Sequence, residues 1–379
     1  MPNPPFTGPA TLSPDLIGVL GARVQRDQAR ALVGLDGFVD TILHAVEART
    51  GPDEFTRIAK IRDFAERIAM ASGRSTNLEL VTQTVRLGGN GPLLANGLAH
   101  LGAPVDYIGN VGWPDPHPTF RDFASRARLH SLGAPAFTDA VEFEDGKLML
   151  GKHDALRGIS WQSVLERVPL AELKQLAAGA RLIGWVNWTC IDRMSEILER
   201  FLAEVATGLG GPKRVAFFDL ADPAKRSLAA LQGALELIGA YQARFEVVLG
   251  MNFAEAAKIA QALGLAAPSE GVSSGLGCAA ALRASLGIGA VTIHERRWAV
   301  AVSAREAAWA PSRLAHRPVT TTGAGDHYNA GFCLGLLGQA GLSACVAAGL
   351  ATASRYIRTG VSPTLPELQA FVAEAAKTP

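Results

Sequence analysis

Residues 88–115 read Gly-Gly-Asn-Gly-Pro-Leu-Leu-Ala-Asn-Gly-Leu-Ala-His-Leu-Gly-Ala-Pro-Val-Asp-Tyr-Ile-Gly-Asn-Val-Gly-Trp-Pro-Asp. A glycine-rich turn leads into an apolar helix pattern over 92–101, and a short strand pattern follows at 105–109. From about residue 30 onward the same rhythm repeats. Strand patterns fall at 31–35, 105–109, 181–186, 214–219, 245–249 and 290–293, and helix patterns at 92–101, 193–205, 253–263 and 275–286. Such alternation predicts an α/β fold with a central, mostly parallel sheet and helices on both faces. A further strand at 298–302 is expected to run antiparallel after a short turn.

Two segments break the alternation. Residues 78–87, and 141–144 with 147–150, read as exposed strands, the latter pair joined by Asp145-Gly146, a strong hairpin signal. They predict a small β-sheet lid, with strands near 36–44, 76–88 and 136–156. A charged, helix-patterned insertion at 47–75 is expected to attach to the lid's edge rather than to the core. The chain reads as one domain over 1–379, with a loose proline-rich arm at 1–14.

Composition narrows the partners. Hydrophobic residues make up 48% and charged residues 19%, which excludes a mostly disordered chain. Thirty-six Lys and Arg against 35 Asp and Glu leave a net +1, so there is no global electrostatic footprint for nucleic acid or an anionic membrane, and a small-molecule partner is expected. No run of roughly 18 apolar residues supports a membrane span, and the first residues lack the basic and apolar regions of a signal peptide. Cys190, Cys278, Cys333 and Cys345 lie far apart without CxxC spacing, which suits reduced thiols in a cytoplasmic protein.

A second glycine-rich run, Thr-Thr-Thr-Gly-Ala-Gly-Asp at 320–326, enters the apolar helix pattern that contains His327, Tyr328 and Asn329. Gly323 and Gly325 let backbone N–H groups approach an anion, and a helix starting there points its positive end at the same place. Asp326 falls in the first turn, which an ordinary helix cap also explains. Other phosphate loops are excluded by inspection: Gly146-Lys147 and Gly151-Lys152 lack the Walker A continuation, and Tyr328 stands where a dinucleotide fingerprint needs its third glycine. His294-Glu295-Arg296-Arg297-Trp298 is not a zinc HExxH.

Together, the 88–115 segment and the 320–326 run resemble the two signature regions of the ribokinase/PfkB family of carbohydrate kinases, in that family's order and roughly at its separation. Val-Val-Leu-Gly-Met-Asn-Phe-Ala-Glu at 247–255 looks like the family's Asn-x-x-Glu motif, and Arg-Thr-Gly-Val-Ser-Pro-Thr-Leu-Pro at 358–366 looks like its closing turn. The resemblance runs from about Leu32 onward and leaves only the insertion without a counterpart. It implies a ribokinase-like fold with a β-sheet lid, ATP and Mg²⁺ as cofactors, and phosphorylation of a hydroxyl, above all a hydroxymethyl, on a sugar or sugar derivative. A homodimer through the lid strands is compatible with it.

Phosphoryl transfer needs an in-line hydroxyl, a base and positive charge around the equatorial oxygens. The resemblance assigns the base to Asp326 and the anion hole to Gly323, Ala324 and Gly325, with Thr322 and Thr292 on the nucleotide side. Asn252 and Glu255 are spaced to share one helical face, so both could reach hydrated Mg²⁺ or the phosphates, Glu255 through water; a capping box explains the same pair. Asp36 and Asp40 follow the first strand, where carboxylates can accept hydrogen bonds from vicinal hydroxyls, and the spacing does not choose between them. Gly88, Gly89 and Asn90 are expected to add substrate contacts from the lid side.

Four positions depart from the family pattern. Thr320 stands where many members carry an Asp that helps bind a monovalent cation, which leaves K⁺ activation open. Leu93 replaces an Asn of the first signature, His294 replaces a Gly near the nucleotide, and His327 follows the base where Thr is common. His327 is expected to point outward on its helix, with proton sensing as the minor alternative. Two other functions compete with a sugar kinase: a nucleoside kinase of the same fold, for which Phe38, Trp113 and Phe143 offer an aromatic floor, and a catalytically silent ligand-binding or regulatory homologue. Arg86, Lys147, Lys152 and Arg157 could meet a phosphate from the lid, although Lys and Arg on edge strands commonly serve solubility.

Overall fold

The computed structural model describes Ala10 and residues 13–377. Most of the proline-rich arm expected at 1–14 therefore lies outside the described residues; Ser13 and Pro14 begin a helix instead. Ser13 Oγ accepts from Leu16 N at 3.1 Å, and Pro14 takes the first helical position of Pro14–Arg26, where its missing N–H costs nothing.

Fourteen strands follow in chain order: β1 (Arg30–Leu35), β2 (Phe38–Arg49), β3 (Phe55–Arg57), β4 (Leu80–Gly88), β5 (Val105–Gly109), β6 (Arg128–Ser131), β7 (Ala136–Glu142), β8 (Lys147–Lys152), β9 (Ala180–Val186), β10 (Arg214–Asp219), β11 (Phe245–Asn252), β12 (Ala290–His294), β13 (Trp298–Ser303) and β14 (Ala307–Pro311). Nine form one sheet in the order β14-β13-β12-β11-β10-β9-β1-β5-β6. Pairing is parallel from β6 through β12 and antiparallel at β13 and β14. β5 is buried throughout and β1 from Ala31 onward, as a sheet covered on both faces requires. Two edge strands escape the sequence reading. Ala-Ala-Trp-Ala-Pro of β14 has little β-propensity, and Arg-Leu-His-Ser of β6 is short and charged; both are common traits of sheet edges.

The second sheet runs β3-β2-β7-β8, with β4 on the other side of β2. β7 begins at Ala136, earlier than its apolar stretch suggests, because it pairs in parallel with β2 from Phe38. The insertion is only half helical. β2 continues to Arg49 and pairs with β3, so the first part of 47–75 is strand; the charged helix pattern is realised at Ile61–Ala69. Phe64 of that helix packs on Phe143, 5.3 Å between ring centroids, in a small separate core with Leu43, Ala45, Ile58 and Val141. The insertion thus rests on the second sheet.

The helix Ala324–Leu337 is buried around nearly its whole circumference, between the helices Leu342–Thr359 and Asn90–His100. Glycines allow the close approach: a Cβ on Gly349 would sit 2.8 Å from the Tyr328 ring, and one on Gly97 2.7 Å from Ala330 Cβ. Filling either contact costs about 1–3 kcal/mol. All four cysteines are unpaired, and among the described residues no helix is long and apolar enough to cross a membrane.

Candidate active site

Asp36, Asn252 and His294, singled out by sequence, stand at the carboxyl ends of the parallel strands, where open α/β sheets place their ligands, and Asp219 joins them there. Asp36 follows β1, Asp219 ends β10, Asn252 ends β11 and His294 ends β12. The glycine-rich run at 88–91 is shaped by two carboxylates, Asp36 and Asp40. Asp36 accepts from the amides of Asn90 (3.0 Å) and Gly91 (2.8 Å), capping the helix Asn90–His100 with an anion from another element. Asn187 Nδ2 donates to the same carboxylate at 2.6 Å, while Tyr107 Oη donates to the Asp36 backbone carbonyl at 2.6 Å and lies 3.4 Å from Oδ1. A Cβ on Gly89 would sit 2.9 Å from Asp36 Oδ2, and one on Gly88 would strike the Asp40 carboxylate. Burial raises Asp36 to about 6 despite its donors.

Asp326 lies in the first turn of Ala324–Leu337, and Asn90 Nδ2 donates to its Oδ1 at 2.8 Å. Asn90 therefore joins both carboxylates, Asp36 through its backbone and Asp326 through its side chain. Burial, and then the negative charge of Asp219, hold the Asp326 carboxyl well above the ordinary range. The loop before it is firmly braced. Gly323 takes the left-handed conformation, φ +86°; Tyr356 Oη donates to Thr322 O at 3.0 Å, and His327 Nδ1 meets Gly323 O at 2.7 Å. His327 points inward, contrary to the outward orientation expected. Its ring stacks on Tyr356 at 3.6 Å, its Nε2 meets Ser362 Oγ at 2.8 Å, and burial pushes it down to about 4. With both nitrogens used and the ring neutral, it is a strut of the loop rather than a proton sensor.

Asn252 and Glu255 form the capping box. Asn252 Oδ1 accepts from Glu255 N, Glu255 Oε2 accepts from Asn252 N, both at 2.9 Å. Burial and the neighbouring Asp219 raise Glu255 to about 8. Asp219 and its partner Asn329, whose Nδ2 donates to Asp219 Oδ2 at 2.7 Å, are site residues that the sequence reading missed. The only signal was a lone Asp at a strand end. Among the described residues no three His, Cys, Asp or Glu side chains are placed to hold a bare metal ion. The mutually repelling Asp219, Glu255 and Asp326 do fit a hydrated Mg²⁺ that arrives with phosphates, since such ions retain several waters and need few protein ligands.

A cleft of about 840 Å³ opens beside this group, lined among others by Asn252, Phe253, His294, Ala324, Gly325 and Tyr328. His294 faces it, its Cε1 3.0 Å from where a Gly325 Cβ would stand. Thr292 is taken out of the cleft: its buried hydroxyl donates to Val300 O at 2.9 Å and meets Tyr328 Oη at 2.7 Å. It supports the Tyr328 wall instead of lining it.

The second sheet supplies the opposite side. Cα pairing sets Asp40 beside Arg86 of β4 and Thr138 of β7, one face of the sheet. Burial raises the Asp40 carboxyl, while Arg86, Thr138 and Lys147 pull it down. Lys152 and Arg157 do not join them: Lys152 pairs with Asp139 at 2.8 Å and Arg157 with Asp154 at 3.1 Å. The three aromatics suggested as a floor for a base are also committed elsewhere. Phe143 belongs to the insertion's core, Phe38 packs edge-on to His153 at 5.4 Å, and Arg167 covers Trp113 at 3.7 Å.

Solved structures of the same architecture include an adenosine kinase from Sinorhizobium meliloti, with TM-score 0.63 and 19% identity over 92% of this chain and 99% of that one. A ribokinase from Cryptococcus neoformans in complex with ADP gives TM-score 0.61 and 18% identity over 90% and 98%. At those identities the likeness shows the fold, which is ribokinase-like. A ketohexokinase from Haloferax volcanii is 30% identical over 347 residues, 91% of each chain, and the family description prokaryotic ketohexokinase matches residues 20–375. The protein is thus a carbohydrate kinase of the ribokinase/PfkB type. Within that class it belongs to the prokaryotic ketohexokinase family.

Proposed function

We propose that the enzyme transfers the γ-phosphoryl group of ATP to a hydroxymethyl hydroxyl of a ketohexose, with Asp326 as the base. One observation carries this reading: a buried carboxylate in the first turn of a 14-residue helix whose amino end opens on the 840 Å³ cleft, with one amide side chain, Asn90, holding it in place. The acceptor hydroxyl gives its proton to Asp326 as its oxygen bonds to the γ-phosphorus. The helix N-terminus at Gly323, Ala324 and Gly325 faces the equatorial oxygens, where preorganised dipoles act most strongly. Thr322 borders them. Asp219 and Glu255 would hold the nucleotide's Mg²⁺ through its water shell, where the ion would supply positive charge to the phosphates. The cleft beside His294 and Tyr328 takes the nucleoside.

Asp40 and Asn90 are assigned to the sugar hydroxyls, with Gly88 and Gly89 as backbone floor. Asp36 is assigned to holding the helix Asn90–His100, because its oxygens already have donors. The positions of Phe38, Trp113 and Phe143 favour a sugar over a nucleoside. Unpaired thiols favour a reducing compartment. Exposed Val85, Phe137 and Leu150 on the second sheet support a homodimer, which sedimentation tests.

An ATP-consumption assay against ketohexoses, aldohexoses, sugar phosphates and nucleosides tests the reading, with Asp326→Asn as control. Ketohexose phosphorylation that disappears in the variant is expected. Turnover of nucleosides alone, or binding without turnover across the panel, would sink it.

A further inference from the structure

Phosphoryl transfer gathers negative charge on the migrating group, and the core side of this site supplies mostly acids: Asp219, Glu255 and Asp326. Cations reach the loop from the other sheet. Arg86 Nη1 donates to Thr320 Oγ1 at 3.1 Å, and Lys147 Nζ donates to Thr321 Oγ1 at 3.2 Å and to Thr322 Oγ1. These three threonines immediately precede Gly323, so both cations touch the loop that ends in the anion-binding helix turn. Strand register explains the aim. Arg86 and Lys147 lie on the Asp40 face of the sheet, whereas Lys152 is five positions from Lys147 and so falls on the opposite face.

Neither cation is fully satisfied by what it touches. Arg86 Nη2 is buried with no hydrogen-bond partner among the described residues. Lys147 is half-buried, and burial, then Arg86, lower its pKa with Glu142 and Asp40 acting against them. The Asp40 carboxylate acts on both cations from the same face, yet Arg86 Nη2 keeps no acceptor and Lys147 Nζ hydrogen-bonds to neutral threonine hydroxyls, so a further anion between them would complete both. The tip of the β7–β8 hairpin is fixed to suit. Asp145 Oδ1 accepts from Ile61 N at 3.0 Å, Ala59 O accepts from Glu144 N at 2.8 Å, and Phe64 lies against Phe143. The insertion therefore holds the segment that presents Lys147.

We propose that Arg86 and Lys147 are catalytic cations delivered by the second sheet, binding the oxygens of the phosphoryl group as it passes from nucleotide to sugar. In the step the γ-phosphorus–bridging-oxygen bond breaks, the bond to the sugar oxygen forms, and the hydroxyl proton goes to Asp326, leaving ADP and a sugar phosphate. Arg86 and Lys147 exchange their threonine contacts for phosphoryl oxygens. This rests on the ATP-dependent ketohexose kinase reading. Location distinguishes it from recognition of a phosphate already on the acceptor, since both cations reach the loop beside the helix N-terminus.

The test compares wild type with Arg86→Ala, Arg86→Lys, Lys147→Met and Lys147→Arg, and with Lys152→Ala as a cation on the other face. Steady-state kinetics, ADP binding, affinity for ADP with aluminium fluoride and ketohexose, and thermal unfolding are measured for each. Expected is a loss of kcat of about 10²–10³-fold in Arg86→Ala and Lys147→Met. ADP affinity and hexose KM should stay within about threefold, the aluminium fluoride complex should weaken in step with kcat, and the charge-conserving variants should recover part of the loss. Lys152→Ala should match wild type. Wild-type kcat with lowered unfolding temperature would make the contacts structural only. A raised KM with unchanged kcat, or turnover of sugar phosphates lost selectively, would make them acceptor contacts. Either overturns the proposal while the kinase reading stands; a wild type without ATP-dependent ketohexose turnover overturns that reading itself.

Discussion

Asp36 and Asp326 are both buried, and Asn90 ties them into one network, yet their surroundings are opposite. The Asp36 carboxylate collects two helix amides and the Asn187 amide, with the Tyr107 hydroxyl close by. Asp326 takes one amide hydrogen bond from Asn90 and faces the charge of Asp219. Burial raises both carboxyls, but only at Asp36 do donors answer it fully enough to leave the group near 6. The difference separates a carboxylate that holds a helix from one left able to accept a proton.

The largest effect that could break this contrast is at Asp326. Asp326→Asn should lower kcat by at least ~10²-fold while ADP affinity and unfolding temperature hold; near-wild-type kcat would remove it as the base. Asp36→Ala should act on the other quantity. Two helix amides and the Asn187 amide lose their acceptor, and chemical unfolding should show a loss of about 1–3 kcal/mol. A fully stable Asp36→Ala enzyme would erase the distinction.

Two smaller effects sharpen it. Asp219 raises the Asp326 pKa, so Asp219→Asn should lower it and move the acid limb of the kcat profile to lower pH. The last concerns stability without nucleotide. Glu255 ionises at about 8 when folded and at 4.5 ordinarily. Its folded pKa is raised, so its favourable contribution is complete below pH 4.5 and is lost as pH climbs toward 8. Glu255→Gln should flatten that decline in unfolding temperature, and a profile parallel to wild type would deny the shift.

Much of this was legible in sequence. The parallel strands show as continuous apolar runs because both sheet faces are covered, and β5 and β10 fall at the residues read from pattern alone. Gly88, Gly89 and Gly91 mark the site for a reason visible only in space: their missing side chains leave room for the Asp40 and Asp36 carboxylates. Asp219 carried no spacing signal, since its partners Asn329 and Glu255 come from distant elements. His327 misled because a polar residue in an apolar helix reads as its wet side; here Ser362 and the Gly323 carbonyl satisfy it inside. Strand parity could tell that Lys147 and Lys152 face apart, but only the pairing of β2 with β4 and β7, and of β7 with β8, tells which one shares the Asp40 face.

The hairpin between β7 and β8 has one more consequence. Glu144 and Asp145 border the 840 Å³ cleft, and Lys147 touches the loop beside it. So few residues separate the two contacts that the strand cannot release one and keep the other. On the proposed reading the nucleotide and sugar sides share this one hairpin, and because its tip is tied to the insertion, opening it for ADP would carry the insertion along.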